Sequence, residues 1–280
     1  MQVVKSVAEM QDICRKLRRG GEALGFVPTM GALHEGHLSL IRRARAECQV
    51  VAASIFVNPL QFAPGEDFAQ YPRTFEEDCR QLDTEGVAVL FAPEAEEMYP
   101  SGAVTLVTVS GIGDRLDGAS RPGHFTGVAT VVAKLFHVVA PARAYFGQKD
   151  AAQLAVLRQM VQDLNFDLEL VGCEIVRDRD GLALSSRNKY LSGKERDQAL
   201  VLSRTLNQMK QSISSRERQS AALLQLGKDA LNGTEGVRLD YLAIVDSRTL
   251  LPVPSAEKGV LVAVAAYVGR TRLIDNFLIA

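Results

Sequence analysis

The chain has 280 residues, of which 47% are hydrophobic, and its formal net charge is −1 at pH 7. This length and this apolar content are enough for a sizeable buried core, and we expect one large domain and one smaller one. A near-neutral charge without a long run of Lys and Arg argues against an extended nucleic-acid surface, so we expect no nucleic-acid partner.

Cysteine spacing and the apolar runs indicate the compartment. The four cysteines are scattered along the chain, without the spacing of a zinc site or of a disulfide framework. The N-terminus has no signal-peptide pattern, and no apolar run approaches the about 18 to 20 residues that span a membrane. We therefore expect a cytoplasmic protein with no membrane partner.

Apolar β-rich runs alternate with amphipathic helical patterns as far as about residue 176, as in a parallel sheet covered by helices. The pattern predicts strands at 23–27, 50–57, 87–91, 144–146 and 168–176. Apolar spacing predicts helices that include residues 38–48, 75–82 and 128–139. The run at 50–57 has no polar alternation, which is typical of a strand buried on both faces. The fold class is therefore predicted to be α/β, with a doubly wound, Rossmann-like parallel sheet.

The pattern changes after residue 176. It predicts two helices followed by three strands, at 194–211, 217–232, 237–245, 259–268 and 272–279. We therefore predict a first domain over residues 1–176 and a smaller C-terminal α+β domain over residues 177–280, which would act as a lid.

The most informative segment is 28–37, which reads PTMGALHEGH and lies between a predicted strand and a predicted helix. Gly31 and Gly36 allow a ligand to approach the backbone closely, and the N-terminus of a helix binds anions. His34 and His37 lie on one face if the helix begins by His34, so both could donate to the same phosphate. Taken alone, this H-x-x-H spacing is more often a pair of surface histidines.

A second polar segment, at 177–192, contains Ser185, Ser186, Arg187 and Asn188 in succession. Serine hydroxyls and a guanidinium can clamp phosphate oxygens. Taken alone, such a string is more often a helix cap or a solvated loop. Paired with the segment at 28–37, it resembles the two-part signature of the class I aminoacyl-tRNA-synthetase-like, HIGH-type nucleotidyltransferases.

Further polar residues follow predicted strands, where a doubly wound sheet binds its ligands. Asn58 and Gln61 come after the strand at 50–57, and their neutral amides suit a hydroxyl or a carboxylate. Alternatively, Asn58 simply precedes a proline in a turn. Lys149 offers a point charge for phosphate, and Gln153 lies further along the same predicted helix.

Two other polar residues have a less specific pattern. Arg121 precedes the apolar helix at 128–139, where it could contact an anion or be a surface charge. His137 lies within that helix, and we expect it to pack or to be partly exposed rather than to bind a ligand.

Six motifs in this order resemble those of the pantoate-beta-alanine ligase family, also called pantothenate synthetases. They are PTMGALHEGH from Pro28, VNPLQF from Val57, YPRT from Tyr71, RPGHF from Arg121, FGQKD from Phe146 and DGLALSSRN from Asp180. The resemblance covers essentially the whole chain. It implies an enzyme that uses ATP and Mg²⁺ to join pantoate and beta-alanine through an enzyme-bound pantoyl adenylate, releasing AMP and pyrophosphate.

The resemblance also implies roles for individual residues. The catalytic residues would be His34, His37, Lys149, Ser185, Ser186 and Arg187, with His37 as a proton or hydrogen-bond donor to the transferring phosphate. The ATP site would be lined by Met30, Gly31, Ala32, Leu33, His34, Glu35, Gly36, His37, Gly147, Gln148, Lys149, Asp150, Val176, Leu184, Ser185, Ser186 and Arg187. Asn58, Gln61 and Gln153 would bind the substrate, and Asp78 would lie near the metal ion. The family further implies a homodimer.

The chain departs from the family pattern at Gln148, where Glu is usual, at Ala152, where Gln is usual, and at Leu184, where Met is usual. None of these changes removes a group assigned to the chemistry. One alternative function is a related nucleotidyltransferase that transfers AMP to a phosphorylated alcohol, although neutral amides suit a hydroxy acid better than a second phosphate. A second alternative, a non-catalytic nucleotide- or RNA-binding module, would be expected to carry a basic appendage.

Overall fold

The computed structural model describes residues 1–279, and its larger sheet has six parallel strands in the order β1-β4-β3-β2-β5-β6. The strands are β1 Gln2–Val4, β2 Leu24–Thr29, β3 Val50–Ile55, β4 Val89–Phe91, β5 Arg143–Gly147 and β6 Glu169–Cys173. The chain runs from β2 outward to β3 and β4, and it then returns to the other side of β2 for β5 and β6. This order confirms the doubly wound parallel sheet. Its winding reverses between β2 and β5, and ligands bind at such a switch point.

Helices cover both faces of this sheet. They are α1 Val7–Arg19, α2 Glu35–Glu47, α3 Phe75–Thr84, α4 Ala95–Met98, α5 Asp117–Ser120, α6 His124–Val139 and α7 Ala151–Asp163. The largest core cluster contains Phe26 of β2, Phe136 of α6 and Leu157 of α7, each at most 1% exposed. Among residues 1–279, no helix is both long enough and apolar enough to cross a membrane.

The first strand and the first helix were not predicted from the sequence, and several strand ends differ. Strand β1 pairs with β4 at the edge of the sheet, and only its Val4 is buried. Strand β3 ends at Ile55 rather than at residue 57, because Asn58 caps a short 3-10 turn over Pro59–Gln61. Strand β6 ends at Cys173 rather than at residue 176, because the Val176 carbonyl accepts the Leu184 N–H at 3.0 Å instead of joining the sheet.

The C-terminal part forms a smaller α+β unit, as expected. It contains α8 Gly193–Ser214, α9 Ser220–Asn232 and an antiparallel sheet of β7 Val237–Asp246, β8 Val260–Val268 and β9 Thr271–Leu278, in that order. One face of β8 packs with α8 and α9, while Leu261 and Ala263 on its other face join the core of the larger sheet. The two sheets therefore share a core, and the exact domain boundary at residue 176 stays a prediction.

Candidate active site

The turn between β2 and α2 is held from within by the carboxylate of Asp78. Asp78 is only 1% exposed. Its two carboxylate oxygens accept hydrogen bonds from the backbone N–H groups of Ala32 and Leu33, both at 2.9 Å. The hydroxyl of Thr74 donates to the same carboxylate at 3.1 Å. Gly31 and Ala32 both have left-handed backbone angles, with φ of 75° and 50°, so the carboxylate stabilises a turn that is costly for Ala32. This turn contact was not anticipated from the sequence, and the position of Asp78 near a metal ion stays a prediction.

The two histidines of this turn accept hydrogen bonds at Nδ1, which leaves Nε2 as the donor atom of each ring. Helix α2 begins at Glu35 with His34 as its N-cap, and the His34 Nδ1 accepts the N–H of Gly36 at 3.1 Å. The His37 Nδ1 accepts the N–H of His34 at 3.3 Å, and the two ring centroids are 4.0 Å apart. Since both Nδ1 atoms accept hydrogen bonds, each neutral ring carries its proton on Nε2.

The surroundings keep both rings neutral. Burial, followed by the positive charge of Lys149, lowers the pKa of His34 to about 4. Burial, followed by the neighbouring His34 and by Lys149, lowers the pKa of His37 well below its ordinary value. Both imidazoles therefore offer an Nε2–H at neutral pH, and a bound phosphate would favour their charged forms through its own negative charge.

The Ser185, Ser186 and Arg187 turn lies directly against the histidine turn. Ser185 caps a 3-10 turn over Ser186–Tyr190, and its Oγ accepts the Arg187 N–H at 3.3 Å. The buried Ser186 Oγ donates to the carbonyl of Ala32 at 3.1 Å. The structure therefore brings together the two distant motifs of the sequence.

A loop over residues 62–70 pairs with the arginines of the site. Asp67 accepts two hydrogen bonds from Arg187, from Nε and from a terminal nitrogen, both at 2.9 Å. Burial alone would raise the pKa of Asp67, but the hydrogen bonds and the charge of Arg187 outweigh burial and hold that pKa below its ordinary value. The preceding residue, Glu66, accepts two hydrogen bonds at 2.7 Å from Arg121. Both arginines are thus neutralised by adjacent carboxylates of one loop.

The turn between β5 and α7 places Lys149 beside this cluster. The Lys149 Nζ lies 3.7 Å from the carboxylate of Asp150. The Gln148 Nε2 donates to the Oδ1 of Asn276 in β9 at 3.3 Å. Lys149 is therefore the residue of this turn whose charge lowers the pKa of both histidines.

Two adjoining cavities open at the carboxyl ends of β2 and β5. The smaller has a volume of about 160 Å³ and the larger of about 860 Å³. Residues of the expected ATP site that line the smaller cavity are Met30, His34, Gly36, His37, Gly147, Lys149, Asp150, Val176, Leu184, Ser185, Ser186 and Arg187. Gln153 lines the larger cavity, and Lys149, Asp150, Ser185 and Arg187 line both. The volume of the larger cavity is typical of a small-molecule site, and the smaller cavity adjoins it.

The remaining residues expected in the ATP site lie elsewhere. Gly31, Ala32 and Leu33 are buried in the turn that Asp78 holds. Glu35 is exposed and pairs with Arg42. Gln148 pairs with Asn276, as described above. These residues shape or surround the site and do not line either cavity.

Asn58 and Gln61 have different positions although they are close in sequence. Asn58 is 1% exposed, and its side chain accepts the Tyr99 hydroxyl at 2.8 Å and donates to the Gln61 Oε1 at 3.0 Å. The Gln61 Nε2 lies 3.0 Å from the sulfur of Met30, which lines the smaller cavity. Asn58 therefore orients Gln61, and Gln61 contacts a residue of the cavity wall without itself lining either cavity.

Three residues of the site were not predicted. Tyr71 is buried and lines the smaller cavity, and Asp67 binds Arg187. The His124 Nδ1 lies 2.8 Å from the carbonyl of Gln61, and burial, followed by the charge of Arg121, lowers the pKa of His124 to about 4. Tyr71 and His124 lie in the YPRT and RPGHF motifs, whose presence was the available signal.

His137 lies on the exposed side of α6, as expected for a residue outside the site. Its ring contacts Phe166, with 5.0 Å between the centroids. It lines neither of the two cavities described above.

Comparison with known proteins identifies extensive similarity. A family model described as pantoate-beta-alanine ligase matches residues 2–278. The chain is 56% identical to a pantothenate synthetase of Koribacter versatilis and 57% identical to one of Acidobacterium capsulatum, with 100% of this chain and 96% and 97% of those proteins covered.

Solved structures show the same similarity. A pantothenate synthetase from Thermus thermophilus is 50% identical, with a TM-score of 0.95 and coverage of 100% of this chain and 99% of that one. A pantoate-beta-alanine ligase from Francisella tularensis, crystallised with beta-gamma ATP and beta-alanine, is 34% identical, with a TM-score of 0.81 and coverage of 99% and 97%.

Proposed function

The chain belongs to the pantoate-beta-alanine ligase family, and we propose that it joins pantoate to beta-alanine in two steps that consume ATP. In the first step, a carboxylate oxygen of pantoate attacks the α-phosphorus of ATP, and the bond to the pyrophosphate oxygen breaks. In the second step, the amine of beta-alanine attacks the acyl carbon of the pantoyl adenylate and loses a proton. The bond to AMP then breaks, and the products are pantothenate and AMP.

The observation that carries this proposal is the convergence of donors on the smaller cavity. The first step places a carboxylate against a triphosphate, so its transition state needs fixed donors for phosphate oxygens. The Nε2–H groups of His34 and His37, the ammonium of Lys149 and the guanidinium of Arg187 would supply them. Ser185 lies in the wall of both cavities and would add a hydroxyl donor. Ser186 would act by holding its turn against Ala32.

Mg²⁺ fits this site as an ion that enters with the nucleotide. Among residues 1–279, no group of three or more His, Cys, Asp and Glu side chains forms a ready-made metal site. Mg²⁺ commonly binds substrate phosphates and one or two carboxylates while it keeps several waters. Asp150 lines both cavities and its carboxylate is 47% exposed, so we propose Asp150 as the protein contact of the ion. The ion would neutralise charge on the phosphates.

Pantoate would bind between Gln61 and Gln153. Neutral amides can both donate to a carboxylate and accept from hydroxyl groups, which a hydroxy acid requires. Asn58 supports this role indirectly, because its hydrogen bond fixes the orientation of the Gln61 amide. Beta-alanine would enter on the side of Gln61 once the adenylate has formed. The loop at 62–70 would exclude water from the hydrolysable adenylate.

The experiment that tests this function incubates the protein with ATP and Mg²⁺ and adds pantoate, with or without beta-alanine. It measures pyrophosphate, AMP and pantothenate. Pantoate alone should produce pyrophosphate and a bound adenylate in amounts close to the enzyme concentration, and beta-alanine should then release AMP and pantothenate. If the folded protein binds ATP but pantoate elicits no pyrophosphate, the proposed substrate is wrong. AMP transfer to a phosphorylated alcohol would then favour the related nucleotidyltransferase reaction.

We also propose that the protein forms a homodimer through the extended segment at 103–108. Val104 is 89% exposed and Leu106 is 60% exposed in this segment, and within residues 1–279 the amides of 104–106 have no backbone partner. An unpaired edge with outward apolar side chains is suited to pairing with a second copy. Sedimentation of Leu106→Asp should give a monomer, and an unchanged mass relative to the parent protein would exclude this segment as the interface.

We place the reaction in the cytoplasm. The cysteines, Cys14, Cys48, Cys79 and Cys173, are all free thiols in the structure. Such thiols are compatible with the reducing compartment in which ATP is available. Fractionation of cells should recover pantothenate-forming activity with cytoplasmic enzymes, and recovery with an extracytoplasmic fraction would contradict this placement.

A further inference from the structure

The last strand of the chain carries two adjacent buried polar side chains, Asp275 and Asn276. Each residue is 3% exposed, although both lie in β9 at the edge of the small sheet. Burying a carboxylate and an amide is costly unless each finds hydrogen-bond partners. Both find most of them in segments that lead into the active site.

Asn276 holds the backbone of the turn that carries Lys149. Its Nδ2 donates to the carbonyl oxygens of Gln148 at 3.0 Å and of Lys149 at 2.8 Å. Because a carbonyl can only accept, these two bonds fix which way the amide of Asn276 faces. The Asn276 Oδ1 then accepts the Nε2 of Gln148 at 3.3 Å. The amide thus binds the turn three times and leaves the Lys149 side chain free to reach the cavities.

Asp275 holds the segment that leads to Ser185 and Arg187. Its two carboxylate oxygens accept hydrogen bonds from two terminal nitrogens of Arg177, at 2.6 and 2.8 Å. Arg177 in turn pairs with Ala183 across a short antiparallel hairpin, two residues before Ser185. A bidentate carboxylate fixes both the position and the plane of a guanidinium.

The two anchors are also joined to each other. The Asp275 Oδ1 accepts the backbone N–H of Asn276 at 2.8 Å, so the carboxylate and the amide have fixed relative positions. Strand β9 is held in place by eight residue pairs with β8, from Leu261 with Leu278 to Val268 with Thr271. The distance between the two phosphate-binding segments therefore depends on one rigid strand.

We propose that Asp275 and Asn276 are positioning residues, which set the position of Lys149 relative to the Ser185 and Arg187 turn so that both reach the same nucleotide. This inference rests on the proposed use of ATP. Asp275 also lines the larger cavity, but the hydrogen bonds described above already occupy both side chains, so each would act through a segment that reaches the nucleotide. The small C-terminal sheet thereby contributes to nucleotide binding, in addition to covering the core.

The test measures the affinity for ATP with Mg²⁺ by calorimetry, together with the KM for ATP and kcat. Asn276→Ala should raise the Kd and the KM for ATP roughly tenfold, because the loss of two or three hydrogen bonds lets the Lys149 turn shift. Asn276→Asp should not restore affinity, since a carboxylate cannot donate to the two carbonyls. Phe277→Leu is the matched control: it alters packing at the next position of β9, where no contact with the site exists, and should leave the Kd for ATP within about twofold.

A double-mutant cycle separates positioning from general loss of structure. If Asn276 acts through Lys149, Asn276→Ala should change the Kd for ATP much less in a Lys149→Ala background than in the parent protein. An equal change in both backgrounds would overturn the proposal, as would a Kd change in Phe277→Leu as large as that in Asn276→Ala. Calorimetry reads ATP binding without turnover. A parent protein that binds ATP but makes no pantothenate would therefore contradict the proposed function and leave this test intact.

Discussion

The two turns proposed to bind phosphate are held by different kinds of contact. In the turn before α2, two backbone amides donate buried hydrogen bonds to the Asp78 carboxylate, and a further amide donates a partly buried one to each histidine Nδ1. Arg187, on the opposite turn, is held by an ion pair with Asp67 that lies in the wall of the larger cavity. We expect the first contacts to remain when a nucleotide binds and the second to be exchanged for contacts to phosphate.

The histidine turn is therefore preformed for a phosphate, whereas Arg187 would have to rearrange. Neutral histidines with fixed Nε2–H groups can receive a phosphate without moving, which is how a site lowers a barrier through preorganisation. Arg187 already forms an ion pair with Asp67. A phosphate that replaces Asp67 therefore gains only the difference in interaction free energy between the two partners. The histidine turn should therefore control the rate of the first step, and the loop at 62–70 should control nucleotide affinity.

The largest expected effect is on the rate and comes from the histidine turn. His37→Ala should fold and should slow pyrophosphate release with pantoate by roughly 10³-fold, because a positioned donor of this kind typically contributes 10²- to 10⁴-fold. His137→Ala removes an imidazole from the exposed side of α6 and should leave the rate largely intact. Rapid-quench measurement of pyrophosphate compares the two. Equal losses in two folded variants would contradict the separation of site from scaffold.

Asp78→Ala should show how strongly the preformed turn depends on its carboxylate. We expect a loss of about 3 kcal/mol in the free energy of unfolding, since two buried amides and a hydroxyl lose a charged acceptor. Asp163→Ala, which removes an exposed carboxylate at the end of α7, should change the same quantity by about 0.5 kcal/mol or less. Urea unfolding measures both. A stable Asp78→Ala protein that had lost only its response to Mg²⁺ would favour the metal role instead.

The pH dependence of the free energy of unfolding should distinguish the contribution of His34 from that of the Asp67 ion pair with Arg187. The folded pKa of His34 is about 4, below its ordinary value of 6.5, so the unfolded chain binds the proton more readily and stability falls as pH falls from 6.5 towards 4. The pKa of Asp67 is also lowered, but from 3.8, so its contribution is lost only at still lower pH. Between pH 7 and 5 the loss linked to His34 should be on the order of 2 kcal/mol.

His34→Asn tests this assignment, because Asn can still cap α2 but does not titrate. The variant should lose less stability than the parent protein between pH 6.5 and 4, as followed by urea unfolding at each pH. An identical pH profile in both proteins would show that other groups cause the loss.

The smallest expected effect concerns the ion pair of the loop. Asp67→Asn should free Arg187 from its charged partner and tighten ATP binding by about fivefold, since a partly exposed pair is worth up to about 1 kcal/mol. Glu66→Gln is the matched control, because it frees Arg121 rather than Arg187. Calorimetric titration with ATP and Mg²⁺ measures both. Weaker binding by Asp67→Asn would mean that Asp67 supports the nucleotide-bound state.

Sequence patterns predicted the central fold because buried parallel strands have distinct apolar runs. Strand β1 has one buried residue in three and therefore no readable period. Helix α1 was missed although a signal existed: Ser6 caps it by accepting the Glu9 N–H, and Met10 and Cys14 lie one turn apart on its buried face. Its pattern was readable, unlike that of β1.

The sequence could indicate which residues lie near a cavity where they share a motif, and their roles stay predictions. His34, His37, Lys149 and Arg187 all lie in cavity walls as expected. Partners that are far apart in sequence could not be predicted, because spacing carries no information about which loops meet. Asp67 lies 120 residues from Arg187, and Asn276 lies 127 residues from Lys149. For the same reason the contact of Asp78 with the turn could not be predicted: its backbone partners lie 45 and 46 residues away.

The most direct measurement follows an oxygen atom. Pantoate labelled with ¹⁸O in its carboxylate would be converted with ATP, Mg²⁺ and beta-alanine, and the products would be analysed by mass spectrometry. If the carboxylate attacks the α-phosphorus at the site described above, one labelled oxygen should appear in AMP and one should remain in the amide of pantothenate. Label in inorganic phosphate with ADP as the other product, or no label in AMP, would contradict the adenylate route.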